Sequence, residues 1–596
     1  MSTTISAPKW DTQSIFPSLD SSEFSAAFEG LQKFLEELEQ NFDAAEVHGG
    51  MTSSQAHFVL DKLLPQWNQF ESDARTVRGF IYQFVSTDAK NELAQAKLSE
   101  MEPMFSKATK LESRLIAWVG AQDSAALLAN SEVAKAHEFF IKRCSSLAKH
   151  QMSPAEEALA ADLTRTGSTA FSRLHGDVTS QISVVVELPD GTQTVPMPVC
   201  RAMAYDPNRT VRRLAYEAEL ARWKEFEVPL AASMNAIKGE VGLLSSKRGW
   251  NSPLEAAVFD TNMDLATLDA MMGAARDAFP AMRKYLKAKA RALSGEAGLD
   301  WYDLFAPVGE ETTEWQYDQG AAFVSKQFHS YSQRMGEFAD RSFRENWIDA
   351  QPAAGKRDGA FCMGIRADES RILMTWKPSF GSVSTLAHEL GHGYHNLCLH
   401  GRTELQKETP MTLAETASIF CETIISNAAM ANANDAEKIS ILEQSLQRAT
   451  QTVVDISSRF LFEQAVFEKR SIRAMSPNEL CDTMLWAQGQ TYGDGLSEHR
   501  HPYMWAVKGH YYSGGRSYYN FPYMFGLLFS LGLYAIYKQD PEAFKSSYDD
   551  LLSSTGLADA PTLARRFNID ITTSKFWENS LAMIEADVNE FDRLVG

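Results

Sequence analysis

Phe24, Phe28, Leu31, Phe34, Leu35, Leu38 and Phe42 recur every three or four residues, the spacing that aligns one face of an α-helix. Ser21 and Ser22 stand just ahead as candidate caps. Helical periodicity continues through Val59–Leu64, Asp73–Phe84 and Lys90–Val119, the last rich in Ala, Leu, Glu and Lys. The first break is Ile182–Met197, where two β-rich runs flank Asp190-Gly191 and predict a hairpin. That hairpin closes an N-terminal helical region, residues 1–200, ahead of a second region, 201–596. Long helices resume at Asp206 and run to about Leu293. On this stretch Arg212, Arg213, Tyr216 and Trp223 read as packing and solvent faces. Phe361–Arg366 and Arg371–Trp376 predict a short antiparallel pair. An exposed strand edge beside a metal could pair with an extended peptide. Beyond Glu422 the signal is helical again, with Asp540-Pro541 as cap and first turn and Ser574 as cap of a last helix ending near Phe591. The pattern predicts a mainly α fold with a small sheet and no internal repeat.

Composition narrows the partners. Hydrophobic residues make up 44% of the 596 positions, ample for a large core. With 57 Lys and Arg against 77 Asp and Glu, the formal charge is −20. Such a chain repels nucleic-acid backbones and anionic membrane surfaces. Ser517–Tyr537 carries no charge, but Pro522, Gly526, Gly532 and its tyrosines favour a helix buried in a water-soluble protein over a membrane span. The opening residues lack a basic start and an apolar run, so no secretory signal is expected. The six cysteines (Cys144, Cys200, Cys362, Cys398, Cys421, Cys481) form no C-x-x-C pair and fit reduced, buried thiols; Cys398 and Cys421 read as core residues.

One helix carries chemistry. In Ser384–Leu399, His388, Glu389 and His392 form H-E-x-x-H. Helical twist stacks two imidazoles four residues apart on one face, where they can hold one zinc ion. Glu389 sits about 100° further round, placed to act as general base on a metal-activated water without being a ligand. A metzincin needs Gly and His three and six residues after the second His. His395 and Cys398 stand there, which excludes that class. His395 shares the stripe but lies about 10 Å from His388 along the axis, too far to converge. Glu415 and Glu422, seven residues apart, could supply a ligand and a hydrogen-bond acceptor behind one. Equally, Thr412-x-x-Glu415 could be a capping box, with Glu415 only closing a helix.

The string His388-Glu-Leu-Gly-His392-Gly-Tyr-His395, followed by Glu415 and Glu422, resembles the M3 family of zinc oligopeptidases, nearest the oligoendopeptidase F branch. A second block agrees: His510-Tyr-Tyr-Ser-Gly-Gly-Arg-Ser-Tyr518-Tyr519-Asn-Phe-Pro-Tyr523-Met-Phe-Gly526. The resemblance covers about residues 200 to 590. It implies a large helical zincin-type metallopeptidase with a deep channel for short peptides, and a small antiparallel sheet beside the zinc helix. It implies one Zn²⁺ per chain on His388, His392 and Glu415, with Glu422 behind His388. His510, Tyr518, Tyr519 and Tyr523 are implied as substrate or transition-state contacts, although Phe521 stands where relatives often carry another tyrosine. Gly509, Gly514 and Gly515 flank His510 and suit a loop that orders on substrate. His501 is a further candidate peptide contact. A cytoplasmic monomer that cleaves internal bonds of oligopeptides is expected. The competing reading is a carboxylate-bridged di-iron bundle built on Glu389-x-x-His392 and Glu498-x-x-His501.

Overall fold

Helices dominate because apolar periodicity near 3.6 runs through most of the chain, and tertiary burial overrides local breakers. The computed structural model describes residues 7–48, 52, 54–309 and 313–596. The chain forms two compact units, each assembled from three segments. The first holds 1–151, 313–431 and 536–567; the second holds 152–312, 432–535 and 568–596. These units cut across the 1–200 and 201–596 division drawn from the sequence.

In chain order the elements that matter are α1 (Ser22–Ala44), α2 (Ala56–Thr87), α3 (Glu92–Ala121), the hairpin β1 (Ser183–Leu188) and β2 (Gly191–Pro196), and α4 (Arg209–Lys247). They continue with β3 (Ile348–Asp349), β4 (Phe361–Arg366), β5 (Glu369–Leu373), α5 (Phe380–Cys398) and α6 (Thr416–Asn432). The set closes with α7 (Ile456–Arg470), α8 (Phe521–Gln539), α9 (Pro541–Ser553) and α10 (Ser574–Val595).

In the first unit Ser21 caps α1, accepting from the Phe24 amide at 3.2 Å. The two helical patterns before and after residue 65 are one helix, α2, with Pro65 inside it. Trp67, Phe70, Val77, Phe80 and Ile81 are all buried around that point, and this burial outweighs the lost amide bond. The predicted strand pair is present, but β5 begins at Glu369 and stops at Leu373, short of Trp376. A two-residue strand, β3, adds to β5 in parallel, so the sheet is mixed, in the order β3-β5-β4. Such a short strand leaves no periodicity to read. Ile365 of β4 is buried in the core built by α1, α2 and α3. On the sheet's other face Asn396 of α5 donates to Ser370 Oγ at 3.1 Å. The sheet is thus held between α2 and α5.

In the second unit β1 and β2 pair antiparallel with Leu188 opposite Gly191, so the two turn residues are Pro189 and Asp190 rather than Asp190-Gly191, and Gly191 opens β2. Val184 and Val186 are buried while Val185 is exposed, the alternation of a one-sided strand. Arg212 on α4 does not face solvent. It is buried and donates to Asp303 at 2.8 and 2.9 Å, whereas Arg213 is exposed beside Glu217. Lys238 pairs with Glu463 at 2.6 Å, and Glu443 binds both Lys289 and, at 2.9 Å, the Tyr285 hydroxyl. Asp540, which belongs to the first unit, caps α9 as predicted, accepting from the Ala543 amide. For α10 the cap position falls to Thr573, Ser574 is its first residue, and it runs on to Val595. The uncharged stretch after Ser517 forms α8, largely buried. Among the described residues no helix is long and apolar enough to cross a membrane.

Candidate metal centre

The motif helix α5 approaches α6 closely because Gly391, between the two histidines, presents no side chain to it. A Cβ on Gly391 would lie 2.6 Å from Ser418 Cα and 2.7 Å from the Ala417 carbonyl oxygen; on Gly393 it would lie 2.7 Å from Phe338. Only glycine lets the two helix backbones meet at this distance. The short turn Met411–Ala414 has Pro410 at its N-cap, and Glu415 follows it, so Thr412 and Glu415 form no capping box. Glu415 is turned instead toward α5. Its Oε2 lies 3.3 Å from His388 Nε2 and 3.5 Å from His392 Nε2, and Ser418 Oγ donates to the same oxygen at 2.7 Å.

The imidazole rings of His388 and His392 lie 4.9 Å apart, nearly perpendicular. One donor atom from each of His388, His392 and Glu415 falls within 4.8 Å of the others, the only such metal-sized group among the described residues. Behind it, His388 Nδ1 faces Glu422 Oε2 at 3.3 Å, and Ser384 Oγ donates to Glu422 Oε1 at 3.0 Å. A carboxylate accepting from Nδ1 keeps the proton on that nitrogen and leaves Nε2 free to ligate. Ser384 lies one turn ahead of His388 on the same stripe. Its helical position was the available signal, though nothing in the sequence alone assigned it a part.

Glu389 is buried beside this group, and its Oε2 has no hydrogen-bond partner. Burial pushes its carboxyl up to about 7, suited to exchanging protons near neutrality. His395 points elsewhere, bonding Thr555 Oγ1 at 2.9 Å and the Leu552 carbonyl at 3.1 Å. Cys398 and Cys421 are buried, and all six cysteines are free.

A model of peptidase family M3 matches residues 202–583, well over half of the chain. The chain belongs to peptidase family M3. An Oligopeptidase F model also matches residues 117–183, which places it in the oligoendopeptidase F group. It is 22% identical over 395 residues to the chromosomal oligoendopeptidase F of Lactococcus lactis subsp. cremoris, covering 65% of this chain and 64% of that protein. The group B oligopeptidase PepB of Streptococcus agalactiae is 21% identical, with 94% of each chain covered. Among solved structures, oligoendopeptidase-F from Enterococcus faecium superposes with a TM-score of 0.68 at 17% identity, over 96% of this chain and 99% of that one. A protein assigned as a peptidase in Chlamydophila abortus reaches 0.85 at 17% identity over 98% of both chains. These structures share the fold.

Membership in M3 implies a catalytic metal, and the residues fit one: two imidazole nitrogens, the His388 ring oriented by Glu422 and the His392 ring bonded to the Ala414 backbone, one carboxylate, and a nearby acid left unligated. In the M3 chain without metal, burial opposes a charged His388, but the ring bonds to Glu415 and Glu422 win and hold its proton up to about 10. Burial draws His392 down to about 4. A metal must therefore displace the proton that Glu415 and Glu422 hold on His388. Metal affinity should rise with pH through neutrality. Calorimetric titration of metal-free protein in buffers of different ionisation enthalpy should show net proton release on binding at neutral pH. Proton uptake would contradict the ligand set.

The second motif block lies in the other unit. His510 is exposed and stacks on Tyr519 with centroids 4.7 Å apart, and the Tyr519 and Tyr523 hydroxyls meet at 3.0 Å. Tyr518 is separated from them. Its backbone is left-handed, φ 53°, and its buried ring packs between Phe460 and Phe467. The reversal sends neighbouring tyrosines to opposite sides. His501, expected as a peptide contact, is fully buried and faces Glu219 at 3.1 Å, so it is a core residue out of reach of a peptide. The same pairing removes it from a di-iron site. No metal-sized group among the described residues includes Glu498 or His501.

Proposed function

We propose that the chain is a zinc-dependent metalloendopeptidase that hydrolyses internal bonds of short peptides. The supporting observation is the meeting of His388, His392 and Glu415 donor atoms beside a buried, unligated Glu389. A zinc ion held there by His388, His392 and Glu415 would supply a Lewis acid and an activated water. Glu389, buried and unligated beside it, would serve as the base that takes a proton from the attacking water and as the acid that returns one to the leaving amine. Glu422 holds the His388 ring in place through Nδ1, and Ser418 does the same for Glu415. In the second unit His510, Tyr519 and Tyr523 present donors for a peptide carbonyl as it gains negative charge. Tyr518 supports them from the core side.

The names of the relatives, oligoendopeptidase F and oligopeptidase PepB, favour oligopeptides as the substrate class. The reading includes a narrow channel that admits short unfolded peptides, a catalytic region 201–596 that contains every assigned residue, and a cytoplasmic monomer with reduced thiols. Incubation with a mixed peptide library should give internal cleavage that stops with a zinc chelator and returns when zinc is restored. Metal analysis should find one zinc per chain. Cleavage indifferent to the chelator, or two irons per chain, would overturn the assignment.

A further inference from the structure

In the second unit, one set of charged side chains is left over from the roles described. Thr450–Asp455 forms a short π-helix that runs straight into α7. π turns are rare and tend to mark functional positions. This one places Asp455 a turn ahead of Arg459, whose Nη2 donates to Asp455 Oδ2. Arg459 Nε is buried with no acceptor. Tyr511, next to His510 in sequence, has its ring fixed against Phe462 at 5.0 Å, yet its buried hydroxyl also lacks a partner. The two residues are near enough for the Arg459 charge to act on the Tyr511 phenol.

The cations around this point can be matched with carboxylates. Arg201 pairs with Glu219, Arg459 with Asp455, and Lys238 with Glu463. Lys508 remains. Among the described residues no carboxylate bonds its ammonium; burial first, then the neighbouring Arg459 and Arg201 charges, draw it down to about 8, and the Asp455 and Glu219 carboxylates, already bonded to those two arginines, offset this only in part. It is thus a half-buried ammonium, still mostly protonated at neutral pH, beside unfilled N–H and O–H donors. Leaving such groups unmatched in the interior is costly. The missing complement is an anion with acceptor oxygens that can take several donors at once. Lys508 also stands two residues before His510, just ahead of the single turn Gly509–Tyr512, where Gly509 and His510 are exposed and Tyr511 is buried.

We propose that Lys508, with Arg459 Nε and the Tyr511 hydroxyl, forms a subsite for a carboxylate of the bound peptide, either its own C-terminus or an acidic side chain. The ligand class rests on the peptidase reading above; the binding chemistry does not. The test uses the full chain carrying Glu389→Gln, so that ligand is not consumed, and one N-terminally labelled peptide in three forms. These are a free acid without acidic side chains, its amide, and the amide with one Gln changed to Glu. Fluorescence anisotropy should show at least one carboxylate form binding about tenfold tighter than the plain amide. Lys508→Met should bring that form to the amide's level, and Lys508→Arg should restore most of the difference. Tighter binding of the free acid assigns the terminus, and tighter binding of the Glu form assigns a side chain. Equal binding of all three forms, a comparison that needs no change at Lys508, overturns the subsite, as does a preference that survives Lys508→Met in a chain with unchanged thermal unfolding. If the unsubstituted protein cleaves no peptide while the carboxylate preference is present, the peptidase reading fails and the subsite stands.

Discussion

Glu389→Gln should retain metal at the level of the unsubstituted chain and lower kcat by about 10²- to 10⁴-fold, the usual share of a general base. The amide matches the carboxylate in size, so packing around this buried position is preserved. It cannot accept a proton near neutrality, whereas the native carboxyl, lifted to about 7 by burial, can. Metal should stay because Glu389 is not among the converging donor atoms, which belong to His388, His392 and Glu415. Elemental analysis together with turnover of a quenched fluorescent peptide separates the two effects. Hydrolysis at the original rate by this variant would show that another group takes the proton.

Gly391→Ala should be the most damaging single methyl in the site. The added Cβ meets backbone atoms, Ser418 Cα and the Ala417 carbonyl, so no side-chain rotation can relieve it. The helices must separate, at a cost of about 1–3 kcal/mol of stability. Glu415 immediately precedes that backbone, so the separation draws its carboxylate away from both imidazoles. Displacement on the order of 1 Å can cost about 100-fold in activity. Gly393→Ala should be milder, since the obstacle there is the Phe338 ring, a side chain that can shift. Zinc affinity and thermal unfolding measured on both variants test the ranking. If Gly391→Ala bound zinc and unfolded like the unsubstituted protein, the close approach would not be what assembles the site.

The parts of this site legible in the sequence are those written in local geometry. His388, Glu389 and His392 are placed by helical spacing alone, and α1 and the β1–β2 hairpin follow from periodicity and turn chemistry within a few residues. Glu415 was different: a capping box and a metal ligand look the same at that spacing until α5 and α6 are brought together. Resemblance to a family resolved the choice, and the structure supplies its physical basis in the contact that Gly391 permits.

Other residues were decided by partners far away in the chain. His501 had the makings of a peptide contact, but Glu219 on α4 draws it into the core. Arg212 left the surface for Asp303 in the same way. Pro65 reads as a helix breaker, yet α2 passes through it because the apolar residues on either side are buried together. Lys508 carries no motif, and only the pairing of every neighbouring cation exposes it. By itself the sequence determined the helical character, the hairpin and the two-histidine face with its base, because each depends on spacing along one segment. The meeting of Glu415 with the two histidines, the sense of each tyrosine and the fate of each isolated charge were decided by tertiary structure, since burial and charge pairing depend on what the rest of the chain brings alongside.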